Sequence, residues 1–301
     1  MGFFDLQING YGGVDFNKED LAPEELRRAC ERLKADGTDG FLPTIITEEL
    51  ATMCQRLTRL AQLREKDSLA REMIPGFHIE GPFLKETTGY RGAHPMDAIR
   101  PATIDAMNQL LDAAQGLTKL VTLAPECDAG FAVTNLLAKQ NIAVAAGHCD
   151  ASLDELRGAI DAGLTLYTHL GNGCPPQIGR HDNIVQRVLS LSDQIMPTFI
   201  ADGAHVPFFA LKNYLKCAGI DRCIVVTDAI APAGLGPGNY TLGRWDLVIK
   251  EDMVARAPDG SHLVGSAISM PLSARNLREQ LGLSDAEVHK LTSINPRHAI
   301  S

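Results

Sequence analysis

Apolar runs of strand length alternate with helical patterns along almost all of this chain, and the runs stop at polar residues able to do chemistry. The first strand reads as 3–9, followed by a helix over 23–37 that Pro23 opens at an N1-like position and Gly37 closes. The second strand is 40–46, with a helix across 48–64, and the third is 74–80. Later strands fall at 119–124, 142–146, 164–168, 196–201 and 223–227, separated mostly by helix-like segments such as 129–140, 152–162 and 207–218. This repetition predicts an α/β fold, a TIM-type (β/α)8 barrel, as one catalytic domain over 1–301. Two stretches break the rhythm. One is the long polar loop 85–101 after the third strand. The other, at about 232–265, holds Gly- and Pro-rich turns with the alternating segments YTLGRWDLVI and DMVARA, and reads as a small antiparallel insertion. Trp245 within it either lines a pocket or anchors the small sheet.

A chain of 301 residues with 45% hydrophobic content can bury a large core. The net charge of −9 offers no basic footprint for nucleic acid or an anionic membrane. No apolar run approaches the roughly 18 to 20 residues of a membrane helix. Seven scattered cysteines without a CxxC pair fit a reducing compartment, so a cytoplasmic protein is expected.

The sharpest strand ends are HIEGPFL (78–84), GHCDAS (147–152), THLGNG (168–173), ADGAHV (201–206) and VTDA (226–229). In a parallel barrel, catalytic residues come from the C-terminal ends of several strands. Glu80, His148 and His169 are therefore expected near one another at the mouth. A lone histidine at a strand end is more often a hydrogen-bonded structural residue than a ligand, but the ordered trio favours a site. One carboxylate and two imidazoles suit Zn²⁺ or another first-row divalent ion, and three protein ligands leave a position for water. Asp228 is placed to take a proton from that water and pass it to a leaving nitrogen. Its plainer reading is a helix N-cap beside Ala229. Cys149 and Cys174 adjoin these motifs and read as small buried residues.

Taken in order, DLQINGYGGVDF, HIEGPFL, GHCDAS, THLGNG, ADGAHV, TDA, GSAISM and SINPRHA resemble the motifs of the N-acetylglucosamine-6-phosphate deacetylases of the amidohydrolase superfamily, from about residue 3 to residue 299. The resemblance implies hydrolysis of an acetamide on an amino sugar, with release of acetate and a free amine. It assigns the metal to Glu80, His148 and His169, and implies one divalent ion per chain. Gln7 and Asn9 stand where many amidohydrolases carry His-x-His for a second metal, so these positions read as vestigial. Substrate contacts carry over to His94, Asn172, Gly173, Arg180 and His205, with His205 also polarising the amide carbonyl beside the metal. A homodimer is implied as well.

The chain departs from the family pattern in places. Arg180 is followed by His181-Asp182-Asn183 where the family has Glu-Pro-Gly, and Gly171 and Gly173 stand where larger residues are common. Asp182 would weaken anion binding if it faced the pocket. The family's flanking β-sandwich is expected to be missing or much reduced. The leading reading is thus a deacetylase of an N-acetyl amino sugar, its 6-phosphate by resemblance. The alternatives are the same machinery on a different amide, such as an unphosphorylated sugar or a cyclic imide, and a non-catalytic sugar-phosphate sensor.

Overall fold

The computed structural model describes residues 2–242, 245–260, 263 and 265–301, without the side chains of Leu242 and Trp245, so the role of the Trp245 ring lies outside the described residues. Eight parallel strands follow one another as β1 (Phe3–Ile8), β2 (Thr38–Ile46), β3 (Phe77–Glu80), β4 (Thr118–Leu123), β5 (Ala143–Ala146), β6 (Leu166–Tyr167), β7 (Met196–Ile200) and β8 (Ile224–Val226), each paired with the next. A parallel bridge between Ile8 and Ala229 brings the end of β8 back to β1. The fold is the parallel α/β barrel expected from the alternation.

Period-two alternation decides which side chains enter the barrel. Leu42, Leu120, Leu166, Met196, Ile224 and Val226 pack with Phe4 and Leu6 in an interior cluster. Their chain neighbours Phe41, Val121, Tyr167 and Val225 face outward into the larger core shared with the helices. Nearer the mouth the interior turns polar. His78 Nε2 lies 2.8 Å from Thr122 Oγ1, its Nδ1 3.3 Å from Thr44 Oγ1, and Thr122 Oγ1 is 2.6 Å from Thr168 Oγ1. Burial pushes the His78 ring down to about 4, so it serves this layer as a neutral hydrogen-bonding group. The register of β1 against β2 shifts between Asp5 and Ile8, and Gln7 turns inward there between the interior Leu6 and the outward Ile8.

The outer layer holds α1 (Pro23–Ala35), α2 (Leu50–Lys66), α3 (Ser68–Met73), α4 (Ile104–Ala113), α5 (Ala132–Lys139), α6 (Leu153–Asp161), α7 (Ile184–Leu189) and α8 (Phe208–Ala218). Their starts are chemically explicit in several cases. Ser152 and Glu155 form a capping box at α6, and Thr103 caps α4. The third strand begins at Phe77 instead of position 74, because Asp67 caps α3 through Ala70 N and Ile74 is still spent closing that helix on the Ala70 carbonyl. β6 is shorter than expected because the chain already turns away at Thr168 and His169.

After β8, three antiparallel strands β9 (Gly238–Leu242), β10 (Trp245–Ile249) and β11 (Ala255–Arg256) pack on Ile230 and Ala267 through Leu247, Ile249 and Ala255. The chain then forms α9 (Met270–Glu279), α10 (Asp285–His289) and α11 (Asn295–Ala299). The last residues cover the N-terminal end of the barrel: Asn295 Nδ2 donates to Cys223 O at 2.7 Å, and the Arg297 guanidinium lies 4.5 Å from the centre of the Phe4 ring. Among the described residues no helix is long and apolar enough to cross a membrane.

Candidate active site

Three strand ends deliver side chains to one buried point at the mouth. His169 Nε2 lies 3.0 Å and His148 Nε2 3.3 Å from Glu80 Oε1, and the ligand atoms of the three residues all fall within 4.8 Å of one another. His94, from the loop after β3, reaches the same place, with its Nε2 3.2 Å from His148 Nε2. Gln7 Nε2 donates to Glu80 Oε1 at 3.2 Å. The backbone is bent to achieve this. His148 (φ 50°), His169 (φ 34°) and Asp228 (φ 49°) each follow a barrel strand and each adopt left-handed φ. Such a conformation in a non-glycine residue costs on the order of 1–3 kcal/mol and tends to occur where function requires it.

The charges at this point fit a cation. Burial alone would raise the Glu80 carboxyl, but the hydrogen bonds from His148 and His169 outweigh it and hold Glu80 well below its ordinary value, as the anion. His169 is lowered by burial and raised more strongly by Glu80, with a net upward shift. His148 Nδ1 lies 2.8 Å from the Tyr90 carbonyl oxygen, which can only accept, so Nδ1 carries the ring proton. With Nδ1 so committed, Nε2 can donate to Glu80 only when the ring carries both protons; in the neutral ring its lone pair faces the carboxylate, and a cation between them relieves that contact. Two imidazole nitrogens and a carboxylate oxygen form a donor set suited to a first-row divalent ion. Gly92 and Gly173 enforce the ring's place, since a Cβ at either would come within 3.0 Å of a His148 ring atom.

Asp228 lies on the opposite side of the mouth, where Asn9 Nδ2 donates to its Oδ1 at 2.6 Å. Burial, reinforced by the charge of Glu80 and opposed by His169 and Asn9, pushes the Asp228 carboxyl up to about 6. The helix-cap alternative for Asp228 is not met. The chain after it enters the bridge at Ala229 and a turn, and α9 begins only at Met270. His205 is held by a residue the sequence reading passed over: its Nδ1 is 2.6 Å from Asp202 Oδ2, while Asp202 Oδ1 accepts from the backbone N–H groups of Ala204 and His205 at 2.9 Å each. Burial raises the Asp202 carboxyl, but His205 and these N–H groups bring it below its ordinary value. The spacing Asp202-Gly-Ala-His205 was the available signal, because an Asp can accept from N–H groups two and three residues ahead.

The loop after β6 is less tightly joined to this group. Asn172 Nδ2 donates back to His169 O at 3.2 Å, and Gly173 lies against His148. Arg180 is exposed and, among the described residues, makes no hydrogen bond or ion pair with the rest of the site. Asp182 is paired with Arg187 Nε at 2.6 Å, and Arg187 also donates to Asp150 Oδ1 at 3.0 Å and to Ala151 O at 3.1 Å. The charge that would have opposed an anion is thereby matched by a guanidinium. Cys149 is fully buried with its Sγ 3.7 Å from the Tyr167 hydroxyl, and burial raises the thiols of both Cys149 and Cys174. Neither belongs to the ligand group.

The chain is similar over almost its whole length to characterised enzymes. It is 32% identical to N-acetylglucosamine-6-phosphate deacetylase of Bacillus subtilis over 296 residues, which is 98% of this chain and 73% of that one. It is 31% identical to N-acetylgalactosamine-6-phosphate deacetylase of Escherichia coli O157:H7, over 98% of this chain and 76% of that one. Among solved structures, a point mutant of N-acetyl-D-glucosamine-6-phosphate deacetylase from Mycobacterium smegmatis in complex with N-acetyl-D-glucosamine-6-phosphate matches with a TM-score of 0.88 and 28% identity, covering 99% of this chain and 77% of that one. A 5-methylcytosine deaminase from Klebsiella pneumoniae shares the fold alone, at 12% identity and a TM-score of 0.54. No family model matches the chain.

Proposed function

Because the chain belongs to the N-acetylglucosamine-6-phosphate deacetylase family, we propose that it is a metal-dependent amidohydrolase converting N-acetylglucosamine 6-phosphate and water to glucosamine 6-phosphate and acetate. The observation that carries this reading is the buried Glu80, His148 and His169 group with Asp228 across the mouth from it. Glu80, His148 and His169 would hold the divalent ion, zinc by the nature of the donors. When bound there, such an ion supplies Lewis acidity, which polarises an amide oxygen and makes a water a better nucleophile. A homodimer accompanies the reading through the family resemblance, and a cytoplasmic location through the seven scattered cysteines.

Asp228 acts as the proton carrier. Asn9 occupies its Oδ1, so Oδ2 takes a proton from the attacking water as the C–O bond forms and returns it to nitrogen as the C–N bond breaks. A carboxyl raised by burial is suited to both halves of that task. His205, oriented through Nδ1 by Asp202, would present Nε2 to the carbonyl oxygen and donate to it when the ring carries both protons. His94, beside His148, would contact the substrate next to the metal group. Asn172, Gly173 and Arg180 would hold the phosphate, where the exposed and unpaired Arg180 offers its fork of donors.

Similarity to the E. coli galactosamine enzyme favours one second reading, the C4 epimer as substrate. Acetate release from N-acetylglucosamine and N-acetylgalactosamine, each with and without the 6-phosphate, separates these possibilities. Arg180→Ala is expected to raise KM for the phosphorylated sugar by about 10- to 100-fold, from loss of a charge-assisted contact of roughly 1.5–3 kcal/mol. Its effect on the unphosphorylated sugar should be small. Equal losses on both substrates would remove Arg180 from phosphate recognition and leave the amidohydrolase reading in place.

A further inference from the structure

We infer that Gln7 and Asn9 are positioning residues with separate tasks, Gln7 fixing the carboxylate of Glu80 for metal retention and Asn9 fixing the carboxylate of Asp228 for proton transfer. The inference rests on the proposed roles of Glu80 and Asp228. It replaces the expectation that these two positions are vestiges of a second metal site.

A carboxylate can only accept hydrogen bonds, so the amide end facing it must be the NH₂ group. Gln7 turns its Nε2 to Glu80 Oε1, and Asn9 turns its Nδ2 both to Asp228 Oδ1 at 2.6 Å and to Asp228 O at 3.4 Å. A second cation near these residues would need their carbonyl ends and the free carboxylate oxygens. Here the donors face the carboxylates instead, and they limit the rotation of each acid. The backbone supports this arrangement. Asn9 N donates to Ala229 O at 2.7 Å, and Asp5 Oδ2 accepts from Thr227 Oγ1 at 2.6 Å, so β1 is fastened to the end of β8 on both sides of Asp228. Asp228 itself sits at left-handed φ, a conformation that persists where surrounding contacts over-determine it.

The two tasks have different readouts. Gln7→Met and Asn9→Leu remove the amide while nearly preserving volume. Gln7→Met is expected to weaken zinc retention, measured by competition with a chromogenic chelator, by about 10- to 100-fold, the range for outer-shell partners of metal ligands. Asn9→Leu is expected to retain zinc and to lower kcat for N-acetylglucosamine 6-phosphate by about 10- to 100-fold, with KM changed little, the signature of an interaction made in the transition state. Added zinc should restore turnover to Gln7→Met and leave Asn9→Leu slow. If either near-isosteric variant does not fold, Gln7→Ala and Asn9→Ala carry the same crossed expectation. Parallel losses of metal and turnover in both variants, or no loss in either, would overturn the division of tasks. A wild-type protein that binds no zinc or releases no acetate would instead overturn the deacetylase reading on which it rests.

Discussion

Asp228→Asn is expected to keep the fold and the metal and to lower kcat by on the order of 10² to 10⁴, the range for positioned acid-base catalysis. Asparagine preserves the size of the side chain, but its amide cannot cycle a proton. Its carbonyl oxygen can still accept from Asn9 Nδ2, which puts the NH₂ group where the proton-carrying Oδ2 stood. Amide hydrolysis needs a base for attack and an acid for departure of the amine, and the reading gives both tasks to this one carboxylate. Near-normal turnover by Asp228→Asn would move proton transfer to another group, with His205 on its Asp202 partner the next candidate at the mouth.

His169→Ala is expected to lose most of the bound metal and with it most of the activity. One of three protein ligands disappears, and the two that remain make an inadequate site. The variant also removes the imidazole 3.0 Å from the buried Glu80 carboxylate, so the acid loses a partner that holds it in its charged form. Metal analysis of dialysed protein checks this, with wild type expected at about one ion per chain by the three-ligand count. Full retention of metal in His169→Ala would take His169 out of the ligand set.

The barrel was legible because alternation along β3 to β8 is nearly unbroken, so a strand end could be read wherever an apolar run met Glu80, His148, His169 or Asp228. Proximity of those four follows from the topology, since parallel strands present their C-terminal ends to one face. Much of what was not legible depends on pairings between residues far apart in the chain. Asn9 meets Asp228 across 219 positions, and Gln7 meets Glu80 across 73. Neither contact leaves a local mark. Asp182 looked adverse beside Arg180 until Arg187, from α7, paired with it. Likewise position 74 has strand-like character, but the cap at Asp67 gives it to a helix end.

Metal reconstitution with acetate release as the readout tests the central claim most directly. Protein stripped by a chelator should release no acetate from N-acetylglucosamine 6-phosphate. On titration with zinc, release should rise linearly and level off near one equivalent per chain, with glucosamine 6-phosphate formed in equal amount, as expected for three protein ligands around one ion. Acetate release that persists without metal, a break near two equivalents, or a fully loaded protein that releases none would contradict the account.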